Sequence, residues 1–294
     1  MENNLVGLPS DKLGLVLDFV GKLRNQLGFE EEAKLFLNKQ YPLLVEVGKP
    51  AKTELEKFAL KTARMLSKRF SKRIIVDPLP PEFTEERLAF WATFNFHPVF
   101  LPGEDIYASR PLKNWTKPDE FFYEMASNTE INEELLVSTS LWRGWYLADF
   151  TLGTDCTDES RVFLEDPLSP IITDLREKKL IGKYSDTPLG SRFAITPNEW
   201  RDCVLAHVAS KLGVTRAQTR LERAIEFNAI GNLYDNNRGK FNSSEWFEDY
   251  VVCWEDINRL YGGCRRGGLA DFSNKADSCR CDYVAGRPLV SFVL

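Results

Sequence analysis

The chain has 294 residues, 43% of them hydrophobic, and a formal net charge of −5 at pH 7. This length allows one large globular domain or two, with ample apolar material for a core. Acidic and basic residues are mixed along the chain, so no basic stripe recommends a nucleic-acid partner. No apolar run reaches the roughly 18 residues of a membrane-spanning helix.

The N-terminus lacks a basic stretch followed by an apolar segment, so no secretory signal is visible. The six cysteines have no regular spacing, which is typical of a reducing compartment. We therefore expect a cytoplasmic protein, while export by a route without such a signal stays open.

The first quarter of the chain has the apolar spacing of helices. One helix is capped by Ser10, and two more are predicted over residues 30–40 and 53–70. These three define a short N-terminal helical unit, residues 1–76. The proline-rich run 77–82 holds the backbone extended and is predicted as a linker.

Residues 83–294 are predicted to form one domain in which helices and strands are mixed, the pattern of the α+β class. Thr196 and Glu199 form a capping box, and Thr215 with Gln218 repeats it. The predicted helices begin at Thr84 or span residues 117–125, 167–179 and 196–212, and the predicted strands span 97–102, 142–150, 226–234 and 288–294.

Common catalytic signatures are absent from the sequence. It has no phosphate-binding loop, dinucleotide fingerprint or nucleophile elbow, and two histidines, His97 and His207, are too few for a histidine-rich metal centre. Asp155, Asp158 and Glu159 form an acidic loop without the spacing of a calcium loop, so a solvated turn is favoured. We predict no enzyme activity, no cofactor and no metal.

The C-terminal stretch 262–294 combines paired glycines, a polar middle and an apolar end. The glycine pairs indicate tight turns or close backbone approach, the short polar residues of 271–283 predict a surface, and the final residues predict a buried strand tied into a sheet. We expect four buried side chains, Phe272, Leu289, Val290 and Phe292, and three framework residues, Gly267, Gly268 and Arg280.

Three cysteines, Cys264, Cys279 and Cys281, lie in this stretch. They lack the two-plus-two spacing of a structural zinc site. On one face of a strand, Cys279 and Cys281 would be about 6–7 Å apart, which disfavours a disulfide. We therefore predict free thiols.

The order GG…RGGL…F…R…GRPLVSF over residues 262–292 resembles the C-terminal end of variable proteins of diversity-generating retroelements. Three upstream phrases, EFNAIGNLY, EWFED and RLYGG, are similar to their framework. These proteins belong to the formylglycine-generating-enzyme-like branch of the C-type lectin fold. The resemblance covers the last two-thirds of the chain and implies a C-type-lectin-like domain of small mixed sheets flanked by helices. Where the family has Gly-Phe before Arg-Pro, this chain has Ala285-Gly286.

In that family, a retroelement replaces adenines while copying a template into the gene, so asparagine codons become codons for many other residues. From Gly262 onward the chain has no Trp, Met, Gln or Glu and a single lysine, Lys275, which fits. The resemblance implies a ligand-binding protein with an unknown protein or glycan ligand. The residues expected to bind it, mostly on one exposed continuous patch, are Cys264, Arg265, Arg266, Asp271, Ser273, Asn274, Asp277, Ser278, Cys279, Cys281, Asp282 and Tyr283.

Three alternatives remain open from the sequence. Formylglycine-generating enzymes use a copper-binding cysteine pair near the C-terminus, so Cys279 and Cys281 leave an oxidoreductase as the rival function. A virion-associated or structural attachment protein on the same fold is another. A glycine-rich ending also favours small residues by itself, because turns do.

Overall fold

The computed structural model describes residues 53–109, 112–127, 137–154, 162–253 and 256–292. The chain divides into two compact units, Met1–Lys52 and Thr53–Leu294, and all described residues lie in the second. The helices predicted around Ser10 and over residues 30–40, and the acidic loop of Asp155, Asp158 and Glu159, lie outside the described residues.

The described part of the second unit is a mixed α+β structure with two small sheets and several helices. Its helices are α1 (Glu54–Arg69), α2 (Glu85–Ala92), α3 (Glu120–Ser127), α4 (Ser169–Glu177), α5 and α6 (Ala224–Leu233). Helix α5 consists of three consecutive stretches, Pro197–Glu199, the π-helical Trp200–Val204, and Leu205–Leu212.

Eight strands form the sheets of the described region. They are β1 (Phe96–Leu101), β2 (Gly144–Asp149), β3 (Thr219–Leu221), β4 (Ser244–Cys253), β5 (Asp256–Gly262), β6 (Phe272–Ala276), β7 (Val284–Gly286) and β8 (Pro288–Ser291). The first sheet has the order β1-β2-β8-β3 and is antiparallel throughout. The second has the order β6-β5-β4-β7, in which β4 and β7 are parallel.

Helix α1 packs into the core of the second unit. It follows Thr53, the predicted start of the helix, and the side chains of Thr53 and Glu56 satisfy each other's backbone amides in a capping box. Leu66 is fully buried, and the Phe58 ring lies 5.7 Å from that of Trp145. The division between the compact units thus falls before α1 and not at the proline-rich run.

The proline-rich segment 77–82, predicted as a linker, contacts the second unit through its first residue, Asp77. Asp77 forms a salt bridge with Arg143 at 2.6 Å. The indole Nε1 of Trp145 donates to the Asp77 carbonyl at 3.0 Å. The segment therefore runs along the second unit, connecting α1 to α2 within one body.

The strand predicted over residues 226–234 is wrong, because Ala224–Leu233 forms the helix α6. Residues 224–232 are all buried, so the helix is enclosed on every side and shows no amphipathic period. A short apolar run of this kind fits a buried helix and a buried strand equally well. Its polar residues Asn228 and Asn232 lie one turn apart, and both amide groups donate to the Thr116 carbonyl, at 2.8 and 3.0 Å.

The predicted C-terminal strand is confirmed. Strand β8 lies inside the first sheet between β2 and β3. Leu289 and Val290 are fully buried, while Phe292 is half-buried with its ring 4.9 Å from that of Phe83. Gly286 ends β7, shortly before β8. A Cβ added there would lie 2.2 Å from the Trp200 ring, so the Trp200 side chain leaves no room for a larger residue at this position.

A network of buried charges joins the two sheets at Arg287. Its guanidinium donates to both carboxylate oxygens of Glu245 at 2.9 and 2.8 Å, and to the carbonyls of Asp149 and Thr151 at 3.0 and 2.8 Å. Asp149 ends β2 and Glu245 lies in β4, so one side chain connects both sheets. All of its nitrogens have partners, which is what a buried guanidinium requires.

Replacing Gly286 by Ala tests the contact with Trp200. We expect Gly286→Ala to lower the free energy of unfolding by about 1–3 kcal/mol, because the core has no room for the added methyl group. The double variant Gly286→Ala with Trp200→Phe should recover part of that loss. Urea titration of the wild type, both single variants and the double variant measures this coupling, and strictly additive effects would show that the two residues do not compete for space.

The buried carboxylate of Asp249 predicts a pH dependence of stability. Burial raises the pKa of Asp249 to about 6, and one of its oxygens has no hydrogen-bond partner. The folded state therefore binds more protons than the unfolded state between about pH 4 and pH 6, so stability falls as pH rises through this range.

Asp249→Asn should reduce the loss of unfolding free energy between about pH 5 and about pH 7.5 by about 1 kcal/mol. The exposed Asp202→Asn serves as the control and should keep the wild-type pH profile. Identical profiles for Asp249→Asn and the wild type would show that this carboxylate is ionised throughout the range.

Candidate functional site

An open groove of about 390 Å³ lies at one end of the second sheet. Four of the residues predicted to bind ligand line it, namely Cys264, Asp271, Ser273 and Tyr283. Tyr261, Asn242 and Ser244, which the prediction did not include, complete the lining. What could have indicated these three in the sequence is their position, since Tyr261 lies within the segment RLYGG and the other two lie just before the segment EWFED.

Pairing between β5 and β6 brings the groove residues together. Tyr261 is the register partner of Ser273, and Gly262 that of Phe272. Beyond the strand ends, the Gly263 amide donates to the Asp271 carbonyl at 2.9 Å, and the Cys264 amide donates to the Asp271 carboxylate at 3.2 Å. These bonds close the loop 264–271 and place its two ends side by side.

Glycine is required where this loop meets the rest of the unit. Gly263 has φ +88°, and a Cβ there would lie 2.5 Å from the Phe227 ring. A Cβ on Gly239 would lie 2.6 Å from the carbonyl carbon of Gly268, so the two backbones touch. The expected framework role of Gly268 is consistent with this contact. Between these anchor points, Arg265 and Arg266 are exposed.

Lys275 supports the aromatic side of the groove. Its ammonium donates to the Tyr283 hydroxyl, and it lies 4.8 Å from the centre of the Tyr283 ring and 5.7 Å from that of Tyr261. The hydrogen bond to Tyr283 raises the pKa of Lys275, and burial raises the pKa of Tyr283. Lys275 therefore remains a cation at neutral pH and fixes the orientation of Tyr283.

Arg280, predicted to be a framework residue, makes several contacts with other parts of the unit. Its guanidinium donates to both oxygens of Glu199 at 2.8 and 2.6 Å and to the Ala194 carbonyl at 2.5 Å. The Tyr184 hydroxyl donates to the Arg280 carbonyl. Because Glu199 also belongs to the capping box of α5, the segment 279–281 is attached to the start of that helix.

Two predicted ligand-binding residues are buried, so their expected exposure is wrong. Asp277 is 7% exposed because it pairs with Arg259 at 3.0 Å and with Arg201 at 3.3 Å. Cys281 is 4% exposed and belongs to the hydrophobic core. Neither can be replaced freely, since each contacts fixed neighbours.

The remaining predicted residues do not form a single continuous patch. Side chains alternate along β6, so Ser273 faces the groove while Asn274 lies on the opposite face. Of the predicted set, Arg265, Arg266 and Ser278 are exposed, and Cys264, Asp271, Ser273, Asn274, Cys279, Asp282 and Tyr283 are half-buried.

Cys279 and Cys281 are free thiols, as predicted, but their sulfurs are only 3.2 Å apart. The separation predicted for two residues of a strand is wrong here, because residues 279–281 lie between β6 and β7 and belong to neither strand. The third cysteine, Cys264, contacts Asn242 at 3.4 Å and lies in the groove. Among the described residues, no group of three or more His, Cys, Asp or Glu side chains has the arrangement of a metal site.

Groups of several kinds converge on the groove. Two phenol rings, two serine hydroxyls, a thiol, an amide and the Asp271 carboxylate line it. Burial raises the pKa of Asp271, although its hydrogen bond from the Cys264 amide opposes the shift. An aromatic surface with a few convergent polar groups suits the binding of a ligand.

Comparisons with known proteins give little further information. No family model matches the chain, and no curated protein matches it. Among solved structures, CarF is similar with a TM-score of 0.39 and 10% sequence identity, over 67% of this chain and 99% of CarF. A similarity of this size identifies neither the fold nor a function.

No helix within the described ranges is long and apolar enough to cross a membrane. The two histidines have structural contacts, since the His97 ring lies 5.3 Å from that of Phe150, and His207 contacts the Cys203 carbonyl one turn earlier in α5.

Asp277→Ala tests whether this residue belongs to the framework. Removing the carboxylate takes away the nearest ion-pair partner of the buried Arg259, which keeps its hydrogen bond to the Glu248 carbonyl and the Glu248 carboxylate at 3.8 Å. We expect the free energy of unfolding to fall by about 2 kcal/mol. The neighbouring exposed residue is a matched control, and Ser278→Ala should stay within about 0.5 kcal/mol of the wild type. Equal stability of the two variants in urea titrations would place Asp277 on the free surface.

Proposed function

We propose that the chain is a ligand-binding protein with a C-type-lectin-like domain, in which a retroelement diversifies the residues of the C-terminal groove. The ligand is a protein or a glycan. Cys264, Asp271, Ser273 and Tyr283 are the residues that choose it, together with the exposed Arg265 and Arg266.

One observation carries this proposal. Four residues from the stretch that resembles a variable region line one groove, although they are up to 19 positions apart in sequence, from Cys264 to Tyr283. The residues expected to be framework in the same stretch instead make fixed contacts, as Arg280 does with Glu199. The four groove residues are thus grouped in space, whereas Asp277 and Cys281 of the predicted set are buried with the framework.

The physics of burial explains why such a separation favours diversification. Truncating a buried side chain typically costs about 2–5 kcal/mol, whereas surface changes are usually within about 0.5 kcal/mol. A groove residue can therefore change its chemistry at small cost to folding. Binding energy would concentrate at Tyr283 and the two exposed arginines, because aromatic and guanidinium groups dominate interaction hot spots.

The rival function, an oxidoreductase of the formylglycine-generating type, differs in metal content. A binding protein should be purified without stoichiometric copper or zinc. One tightly held metal per chain, lost when Cys279 and Cys281 are both replaced by Ser, would favour the enzyme. An attachment protein would bind its ligand in the same groove. It would differ from the binding protein only in being part of a virion or another larger structure.

A genomic observation tests the diversification itself. We expect a near-repeat of the segment that codes for Cys264 to Tyr283, differing at adenines, beside a reverse transcriptase gene. Its absence would remove the retroelement from the proposal and leave the groove as an ordinary ligand site.

The groove can be tested directly with two displayed libraries. The first randomises Cys264, Asp271, Ser273 and Tyr283, and the second randomises four buried residues of the same region, Leu260, Phe272, Asp277 and Cys281. Protease resistance reports folding. We expect most clones of the first library and few of the second to stay folded, because only the first set lies outside the core.

Folded clones of the first library should also yield binders when they are selected on panels of unrelated proteins and glycans. Equal loss of folding in both libraries would show that the groove residues are part of the scaffold, and the proposal would then be wrong.

A further inference from the structure

The two sulfurs of Cys279 and Cys281 lie 3.2 Å apart outside the groove lining. A disulfide bond is about 2.05 Å long, so an approach of roughly 1 Å would join them. The pair follows the turn at Asp277 and Ser278, where the Cys279 amide donates to the Ala276 carbonyl at 2.8 Å.

The backbone around this pair is held by contacts that do not involve the thiols. Ala194 donates its amide to the Cys281 carbonyl at 3.0 Å. Arg280, between the two cysteines, is fixed by Glu199, and its carbonyl accepts from Tyr184. The framework therefore holds the sulfurs close together whether or not they are bonded.

The two thiols differ in access. Cys279 is half-buried, whereas Cys281 is 4% exposed. Burial, together with the neighbouring Cys279 thiol, raises the pKa of Cys281 to about 11. Because only thiolates attack disulfides, a reagent from solution meets Cys279 first, and Cys281 is left to react within the protein.

We propose that Cys279 and Cys281 form a thiol–disulfide exchange site that accepts small-molecule disulfides. The Cys279 thiolate attacks one sulfur of the reagent, whose disulfide bond breaks and releases the first thiol. Cys281 loses its proton to water and attacks the Cys279 sulfur, which forms the internal disulfide and releases the second thiol. Two protein thiols are oxidised and one reagent disulfide is reduced to two thiols.

Formation of the disulfide would affect the groove through Lys275, which contacts both Cys281 and Tyr283. The Lys275 ammonium contacts the Cys281 sulfur at 3.6 Å and bonds the Tyr283 hydroxyl. Drawing the Cys281 sulfur toward Cys279 removes one contact of the lysine that orients Tyr283. An effect on ligand binding depends on the proposed function, whereas the exchange reaction does not.

The reaction is tested on the reduced full-length chain with oxidised glutathione. We expect the intact mass to fall by two hydrogens without a retained glutathione adduct. Trypsin cleaves after Arg280, so the closed disulfide should hold the two resulting peptides together. Labelling of Lys275 by an amine-reactive reagent should increase at least twofold after closure.

Single variants separate the two roles. Cys281→Ser should accumulate a glutathione adduct on Cys279, and Cys279→Ser should react at least tenfold more slowly than the wild type. Cys203 is another half-buried free thiol, and Cys203→Ser should close as the wild type does. Phenylarsine oxide, which bridges neighbouring thiols, should bind one equivalent to the reduced wild type through this pair and needs no variant.

Three results would overturn the assignment. They are a stable glutathione adduct on wild-type Cys279, a disulfide that pairs either cysteine with another one, and a metal ion that occupies the pair in the purified protein. The ligand libraries are scored without an oxidant, so a failure of this reaction leaves the result for the groove unaffected.

Discussion

The fold depends on the place where the chain passes from one sheet to the other. Strand β7 belongs to the second sheet, β8 belongs to the first, and Arg287 is the single residue between them. Its buried guanidinium satisfies Glu245 of the second sheet and the carbonyl of Asp149 in the first. Replacing Glu245 would leave the buried guanidinium without its bonded carboxylate, which costs far more than a surface contact provides. Contacts with both sheets therefore hold the crossing in place.

This crossing also determines where the groove forms. Tyr283 directly precedes β7, which pairs in parallel with the start of β4, so Ser244 lies opposite Val284. The start of β4 is antiparallel to the end of β5, where Tyr261 and Gly262 lie. Residues that are far apart in the chain thus meet at one end of the second sheet because three strand ends coincide there. Side chains of the groove add further contacts, since the Asp271 carboxylate accepts from the Cys264 amide and Lys275 bonds the Tyr283 hydroxyl.

Sequence reasoning succeeded where the determining interaction is local. The capping box at Thr196 involves residues three apart and was predicted. It failed where a distant partner decides, as at Asp277, whose partners are Arg201 and Arg259. Helix α6 was missed for the same reason, since its burial on all sides comes from elements elsewhere in the chain. The class of the fold and the region of the groove could be predicted, but the exposure of individual residues in that region could not.

The alternation along β6 limits what a diversified surface could achieve here. Ser273 and Lys275 lie on one face, and Phe272 and Asn274 lie on the other with the core. Under the proposed function, Lys275 and Phe272 would have to stay constant, because Lys275 bonds Tyr283 and Phe272 belongs to the core. Diversity is then confined to side chains beside these fixed ones. The number of usable positions in the groove is therefore limited by strand geometry, and new binding properties would come from the loop 264–271 more than from the strand.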